Sequence, residues 1–210
     1  MDMFVDIETR ATTNPELMKL VVENVTAPSN YKDPDKIAAY ISEARKEAIS
    51  KTSLDGTYGE ILTIGVALDA NEVTVIGGPG ETEHEVLTEF ACMISGLERA
   101  GAWLQFIAFN GEFDFKFIYQ RMVVSKVIRP RSLPTPGNKF QHLKDPMKMW
   151  AGFKEFVKQQ TLEQVFGIKR DDTLKGSEVG TALLAGDWDA IIRHNSEDVR
   201  CLREIYRRMV

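Results

Sequence analysis

The chain has 210 residues, of which 43% are hydrophobic and 27% charged, and its formal net charge is −5. This length gives one domain with a sizeable core, or one domain with an insertion. No apolar run approaches the ~20 residues of a membrane span, and the acidic start MDMFVDIET lacks the basic region of a secretory signal. The two cysteines, Cys92 and Cys201, make no disulfide framework. Composition therefore favours a cytoplasmic globular protein with no membrane partner, with both cysteines in or near its core.

Charge is divided unevenly along the chain. Residues 1–120 carry 9 Lys and Arg against 20 Asp and Glu, a balance of −11, whereas residues 121–210 carry 17 against 11, a balance of +6. Such asymmetry is typical of a molecule with an acidic site and a basic surface, although solvated helix faces would produce it too.

The first predicted element is a strand, MFVDIE, with Met3, Val5 and Ile7 on one face and the two acids on the other. Residues 10–58 then lack strand character. Within them Asp33 can cap a helix at about 34–51 that has Pro34 in its first position. An apolar stripe at helical spacing supports that helix: Ile37, Tyr40, Ile41, Ala44 and Ala48. We interpret the chain as a single domain, 1–210, with a partly helical insertion at about 10–58.

Strand signals resume with EILTIGVAL and EVTVIG, which predict a hairpin. TEHE at 82–85 is a capping box that opens a helix closed by Gly101. The strand WLQFIAF, the helix NGEFDFKFIYQRM and the short strand FQHLKD follow, and the remainder is helical, with the last helix from about 193. This order predicts an α/β fold with a mixed sheet, its first three strands antiparallel and helices flanking it.

Three acidic motifs stand out from this background. Asp6 and Glu8 lie on one face of a hydrophobic strand, where two unpaired charges are costly and a divalent cation is the simplest partner. In FNGEFD, Asn110 can cap a helix and Asp114 then lies in its first turn. In HNSEDV, the histidine and the aspartate are four residues apart and share a helical face. Taken alone, FNGEFD could be explained by helix capping, and HNSEDV by a hydrogen-bonded histidine in the core.

Together the motifs resemble the DEDD superfamily of 3′→5′ exonucleases. The order is Asp-x-Glu on a strand, Asn-x-x-x-Asp at a strand-to-helix junction, and His-x-x-x-Asp on a final helix. The tail from TLEQVFGIKRDD to HNSEDVRCLREIY is similar to the exonuclease relatives of family B DNA polymerases. The resemblance implies a ribonuclease H-like fold and two divalent cations, Mg²⁺ or Mn²⁺, with four metal ligands: Asp6, Glu8, Asp114 and Asp198. Carboxylate oxygens suit both cations, and a metal pair suits phosphodiester hydrolysis.

The chain departs from that superfamily at His194. One branch has tyrosine four residues before the final aspartate and the other has histidine five before it, whereas this chain has histidine at the tyrosine spacing. We interpret His194 as a catalytic residue that positions or deprotonates the attacking water, the alternative being a contact with substrate. Because imidazole titrates near pH ~6.5 and phenol near ~10, imidazole is the better proton acceptor at neutral pH.

Other residues are candidates for binding the substrate. Thr9 and Asn110 are predicted to hold the 3′-terminal nucleotide, and Phe113 is predicted to stack on a base or else to pack in the core. Basic candidates for phosphate contacts are Arg129, Arg131, Lys139, Lys169, Arg170 and Lys175.

The sequence thus predicts a metal-dependent 3′→5′ exonuclease whose partner is the 3′ end of nucleic acid, preferentially single-stranded DNA. Any proofreading would then act in trans, with a polymerase or a recombination protein as the candidate partner. The alternatives are a ribonuclease of the same fold that trims short RNA, and a non-catalytic nucleic-acid-binding module. The intact set of four acids argues against the last.

Overall fold

A computed structural model describes residues 1–210, and five strands form one sheet at its centre. They are β1 (Asp2–Arg10), β2 (Glu60–Leu68), β3 (Thr74–Ile76), β4 (Gln105–Ile107) and β5 (Leu143–Lys144). The order across the sheet is β3-β2-β1-β4-β5. β1 pairs antiparallel with β2, and β2 with β3, whereas β4 runs parallel to β1 and β5 parallel to β4. The predicted mixed α/β sheet with three antiparallel strands is confirmed.

Eight α-helices accompany the sheet: α1 (Pro15–Val22), α2 (Pro34–Lys51), α3 (Glu83–Arg99), α4 (Glu112–Val124), α5 (Pro146–Ala151), α6 (Gln159–Phe166), α7 (Val179–Ala185) and α8 (Trp188–Arg207). The predicted capping box opens α3, since Thr82 and Glu85 bond each other reciprocally. None of these helices combines the length and the apolar composition that a membrane crossing requires.

Strand alternation divides the core between the two faces of the sheet. Met3, Val5 and Ile7 of β1 join the larger cluster, which also contains apolar side chains of α3 and α4. Phe4 faces the other way and packs with residues of α8, among them Val199. Asp6 and Glu8 share the parity of Phe4, so they project toward α8.

Two local predictions are wrong. The last helix begins at Trp188 rather than near 193, because the Asp187 side chain accepts a hydrogen bond from the Ala190 N–H at 3.1 Å and caps it there. Cys92 is exposed, because it lies on the outer side of α3, whereas Cys201 is buried in α8 as expected.

Residues 14–51, here called the helical segment, hold two helices, α1 and α2. Asn14 and Asp33 cap them through side-chain oxygens, and each helix has proline in its first turn. The helix predicted at about 34–51 is therefore confirmed. No residue of α1 or α2 is buried, and Tyr40, from the predicted apolar stripe, is exposed and packs edge-on against Tyr31.

Candidate active site

The C-terminal half of β1 carries two of the predicted site residues to the cleft beneath α8. Asp6 is opposite Gly65 of β2, and Glu8 is opposite Thr63. The register shifts directly after Glu8, where β2 contains one extra residue, Leu62, relative to β1. Both acids line one cavity of about 340 Å³ together with His194 and Asp198.

A third acid reaches this region from the start of α4. Asp114 lies in the first turn of the helix, as predicted, and is 5% exposed. The predicted cap at Asn110 is wrong, because the N-cap position is Gly111 and no side chain caps it. Asn110 instead adopts a left-handed backbone with φ 55° and lines the cavity. Its N–H donates to Asp145 Oδ1 at 2.9 Å, which ties the α4 entry to the loop after β5.

Helix α8 supplies the remaining residues and lies close against the sheet. A Cβ added at Gly65 would stand 2.7 Å from Val199 Cγ2, so the missing side chain at this position permits the approach. Asn195, which is fully buried, donates from Nδ2 to Asp6 Oδ2 at 2.7 Å. His194 and Asp198 share the face that looks into the cleft, with 3.4 Å between Nε2 and Oδ2.

The clustered carboxyl groups raise one another's pKa. Burial and the charges of Asp198, Asp114 and Glu8 raise the pKa of Asp6 well above its ordinary value. Burial, Asp198 and Asp114 do the same to the pKa of Glu8. Burial raises the pKa of Asp114 to about 8, although backbone N–H groups, including that of Ile7, oppose the rise. The site therefore holds negative charge only at a cost, and a cation would offset that cost.

His194 is held by a further carboxylate. Its side chain is 3% exposed, and Nδ1 lies 2.5 Å from Asp172 Oδ2. Nε2 points the other way, 3.7 Å from Glu8 Oε1 and 3.4 Å from Asp198 Oδ2. A carboxylate at Nδ1 favours the tautomer with the proton on that nitrogen, which leaves the Nε2 lone pair directed at the cleft.

Arg170 connects the acids behind this histidine. Its guanidinium donates to Glu163 at 2.8 and 3.1 Å, to Asp172 at 3.0 Å and to Asp198 Oδ1. Burial opposes its charge, but the bonds to Glu163 and Asp198 outweigh burial and raise the pKa of Arg170. The side chain is committed within the protein, which corrects the prediction that Arg170 contacts phosphates.

The donor atoms suit a divalent cation. Glu8 Oε1, His194 Nε2 and Asp198 Oδ2 all lie within 4.8 Å of one another. Because Arg170 occupies Oδ1 of Asp198, Oδ2 faces the cleft. The carboxylate oxygens are ligands that suit Mg²⁺ or Mn²⁺, and the His194 nitrogen lies beside them.

The predicted substrate residues have different surroundings. The Thr9 hydroxyl donates to the Ser53 carbonyl at 2.7 Å, so it is already engaged. Phe113 packs against the larger core cluster, 5.8 Å from the ring centre of Phe117, in agreement with the core-packing alternative. Among the basic candidates, Lys139 lies beside the cleft, whereas Lys175 is 3.7 Å from Glu178. Arg129, Arg131 and Lys169 are exposed.

Sequence reasoning did not identify several residues around the site: Gln159, Glu163, Asp172 and Asn195. Asn195 lies inside the HNSEDV motif, about one helical turn before Asp198, so its position on α8 near the site could be predicted from the sequence. Asp172 follows Arg170 in a loop, and no periodicity marks it as the partner of a histidine 22 positions away.

Comparisons with known proteins agree with this geometry. A family model described as RNase_H superfamily matches residues 49–210. No curated protein sequence matches the chain. Among solved structures, the family B DNA polymerase from the hyperthermophilic archaeon Pyrobaculum calidifontis is similar in fold, with a TM-score of 0.60 at 11% identity. The similarity covers 99% of this chain and 24% of the polymerase, so the chain spans about a quarter of that structure's length. The predicted ribonuclease H-like fold is thereby confirmed.

Proposed function

The chain belongs to the RNase_H superfamily, and on this premise we propose that it is a metal-dependent 3′→5′ exonuclease acting on single-stranded DNA. The observation that carries the proposal is the convergence of Glu8, His194 and Asp198 within 4.8 Å of one another. Asp6 and Asp114 lie close to this group. The charges of Asp198 and Asp114 raise the pKa of both Asp6 and Glu8, and the charge of Asp198 raises the pKa of Asp114. A buried group of like charges with no role in packing is typical of a catalytic metal site.

The four acids Asp6, Glu8, Asp114 and Asp198 would hold two divalent cations, Mg²⁺ or Mn²⁺. Such a pair supplies a nucleophilic water and stabilises the leaving oxygen of a phosphodiester. Asn195 orients Asp6 through its Nδ2 bond, and Arg170 orients Asp198 by engaging Oδ1. The protein thus positions two of the ligands with hydrogen bonds that come from outside the metal set.

His194 is the proposed proton acceptor for the attacking water. With Asp172 at Nδ1, Nε2 faces the same cleft as Glu8 and Asp198 and is the nitrogen proposed to accept the proton. In this arrangement Asp172 is a positioning residue, because it acts through the imidazole and has no direct path to substrate.

The proposed 3′→5′ direction of cleavage is supported by the resemblance of the three motifs to those of the 3′→5′ exonucleases. Asn110, which lines the cavity beside Asp6 and Glu8, is proposed to hold the terminal nucleotide, as is the backbone at Thr9. Proofreading in trans for a polymerase or a recombination protein is the proposed biological setting.

End-labelled oligonucleotides test this function. With 5′-labelled single-stranded DNA and Mg²⁺ or Mn²⁺, we expect a ladder that shortens from the 3′ end, and no products in EDTA. A 3′-phosphorylated oligonucleotide should resist cleavage. The exposed control Glu89→Gln should match the wild type.

RNA of the same sequence provides the decisive second arm. Faster shortening of RNA would replace DNA by short RNA as the substrate, since the choice depends on contacts with the 2′-hydroxyl. Internal cuts, or full activity in EDTA, would contradict the proposal, and binding without cleavage of either polymer would leave a non-catalytic module.

A further inference from the structure

The loop between α5 and α6 exposes two aromatic side chains beside the cleft. Phe153 is 90% exposed and Phe156 is 67% exposed. Single exposed apolar residues are common, but two phenylalanines three positions apart, next to the half-exposed Trp150, form a patch. Neither phenylalanine belongs to a hydrophobic core cluster, so fold stability does not account for them.

This patch is continuous with the proposed active site. Phe156 lines the same cavity as Asp6, Glu8 and His194. Phe153 lines a neighbouring cavity of about 420 Å³, whose wall includes Asp145. Since Asp145 accepts the N–H of Asn110, which lines the first cavity, the two cavities adjoin at that bond.

The rim of the patch is basic. Lys139, Lys144 and Lys148 line the cavity at Phe153, Lys158 lines the cavity at Phe156, and Lys154 lies between the two phenylalanines in sequence. Four of the five lysines are exposed, and Lys148 is paired with Glu112 at 2.5 Å and lies 6.0 Å from the centre of the Phe153 ring. Apart from the proposed metal ligands, the acids at this rim are fewer, namely Glu112, Glu155 and the buried Asp145.

We propose that this surface binds the single strand adjoining the 3′ end, with Phe153 and Phe156 stacking on bases and the lysines contacting phosphates. The proposal deepens the proposed function and rests on it for the position of the 3′ end. Alternating aromatic and cationic side chains are how proteins hold single strands without reading their sequence. In a duplex the faces of the bases are stacked on neighbouring base pairs, so a duplex would gain only the phosphate contacts with the lysines.

The same chemistry argues against a protein as the occupant. The centre of a protein–protein interface is depleted of lysine, whereas here lysines lie on both sides of each phenylalanine. The competing outcome is self-association through the two rings.

The test measures binding without cleavage. Fluorescence anisotropy of labelled dT12 and rU12 in EDTA would compare the wild type with Phe153→Ala, Phe156→Ala and the double variant. We expect each single change to weaken binding about 5-fold or more, as for the loss of one stacked base. The matched control is Trp103→Ala, since Trp103 is also exposed but precedes β4, at the end of the sheet opposite Asn110.

Salt dependence tests the lysines separately. In Lys144→Ala/Lys154→Ala, the slope of log Kd against log salt should fall by about 1 to 1.5 in magnitude, as for two lost phosphate contacts on a single strand. Arg99→Ala, an exposed cation at the end of α3, should leave the slope unchanged. Comparing dT12 with rU12 shows which sugar the surface prefers.

Wild-type affinity in the double phenylalanine variant would overturn the inference, and so would a change in sedimentation coefficient without a change in affinity. Its failure is separable from that of the proposed function. A wild-type protein that shortens oligonucleotides but binds them independently of Phe153 and Phe156 retains the nuclease function alone. One that binds through both rings but never cleaves retains only the single-strand surface.

Discussion

In the cleft between β1 and α8, His194 and Glu8 are both buried, and each lies near two or more charged groups. In the helical segment, α1 and α2 bury no residue and are defined by side-chain caps at Asn14 and Asp33. The cleft depends on partners far apart in sequence, whereas the helical segment depends on neighbours two residues away. Substitutions should therefore have large, coupled effects in the first region and small, local effects in the second.

The largest expected effect is the loss of a metal ligand. Asp6→Ala or Asp198→Ala should reduce cleavage by at least about 10³-fold, because either change removes a carboxylate that would hold the proposed metal pair. Circular dichroism should show an unchanged fold, and the rise in Tm on adding Mn²⁺ should disappear. The exposed control Glu89→Gln should keep both properties. Full activity in either alanine variant would refute the two-metal assignment.

Removal of the proposed base comes next. His194→Ala should lower kcat by about 10²–10⁴-fold, the range typical of a lost general base. The Tm increase with Mn²⁺ should survive, since the four acids remain. His194→Tyr should recover part of the rate, because the spacing to Asp198 suits tyrosine. Near-wild-type turnover in His194→Ala would assign the chemistry to the carboxylates alone.

Asp172→Asn should have a smaller effect, about 10- to 100-fold on kcat, as for the loss of a residue that orients a functional imidazole. Nitrogen-15 NMR should show the His194 proton on Nδ1 in the wild type and moved toward Nε2 in the variant. Asp171→Asn is the matched control, since Asp171 is exposed and its neighbour is not. An unchanged tautomer would remove Asp172 from the mechanism.

The metal-free protein should lose stability as pH rises. The folded-state pKa of Asp114 is about 8 and its ordinary value is 3.8. The native state therefore holds more protons between these values, and the free energy of unfolding falls from about pH 4 toward pH 8. Asp114→Asn removes this penalty, so its Tm in EDTA should exceed that of the wild type by on the order of 5 °C at pH 8 and converge with it near pH 4. A difference independent of pH would contradict this origin.

The helical segment should produce the smallest change in stability. Thr12 N–H lies 2.9 Å from Thr52 Oγ1, so a short Gly/Ser linker can replace residues 14–51 and keep that contact. We expect Tm to stay within a few degrees of the wild type, because no buried side chain is removed. If the segment shapes access to the cleft, cleavage of single strands relative to duplex ends should change several-fold. An unchanged ratio would make its role purely structural.

Much of the architecture was predictable because local chemistry decides it. The alternation of Met3, Val5 and Ile7 with Asp6 and Glu8 placed apolar and acidic side chains on opposite faces of β1. The caps at Thr82 and Asp33 marked two helix starts correctly. The Asn110 cap failed because the chain turns through a left-handed conformation there and its N–H binds Asp145, which is 35 residues away.

The sequence by itself determined strand β1, the caps at Thr82 and Asp33, and the spacing within each of the three acidic motifs, since these depend on residues within about one helical turn of each other. Only the tertiary structure decided that Asp172 engages His194, that Asn195 engages Asp6 across 189 positions, and that Arg170 is held among acids instead of facing solvent. Those contacts depend on the order of the strands and on how closely α8 approaches β2 at Gly65. The periodicity of a single segment predicts neither property, because each arises from several segments packing together.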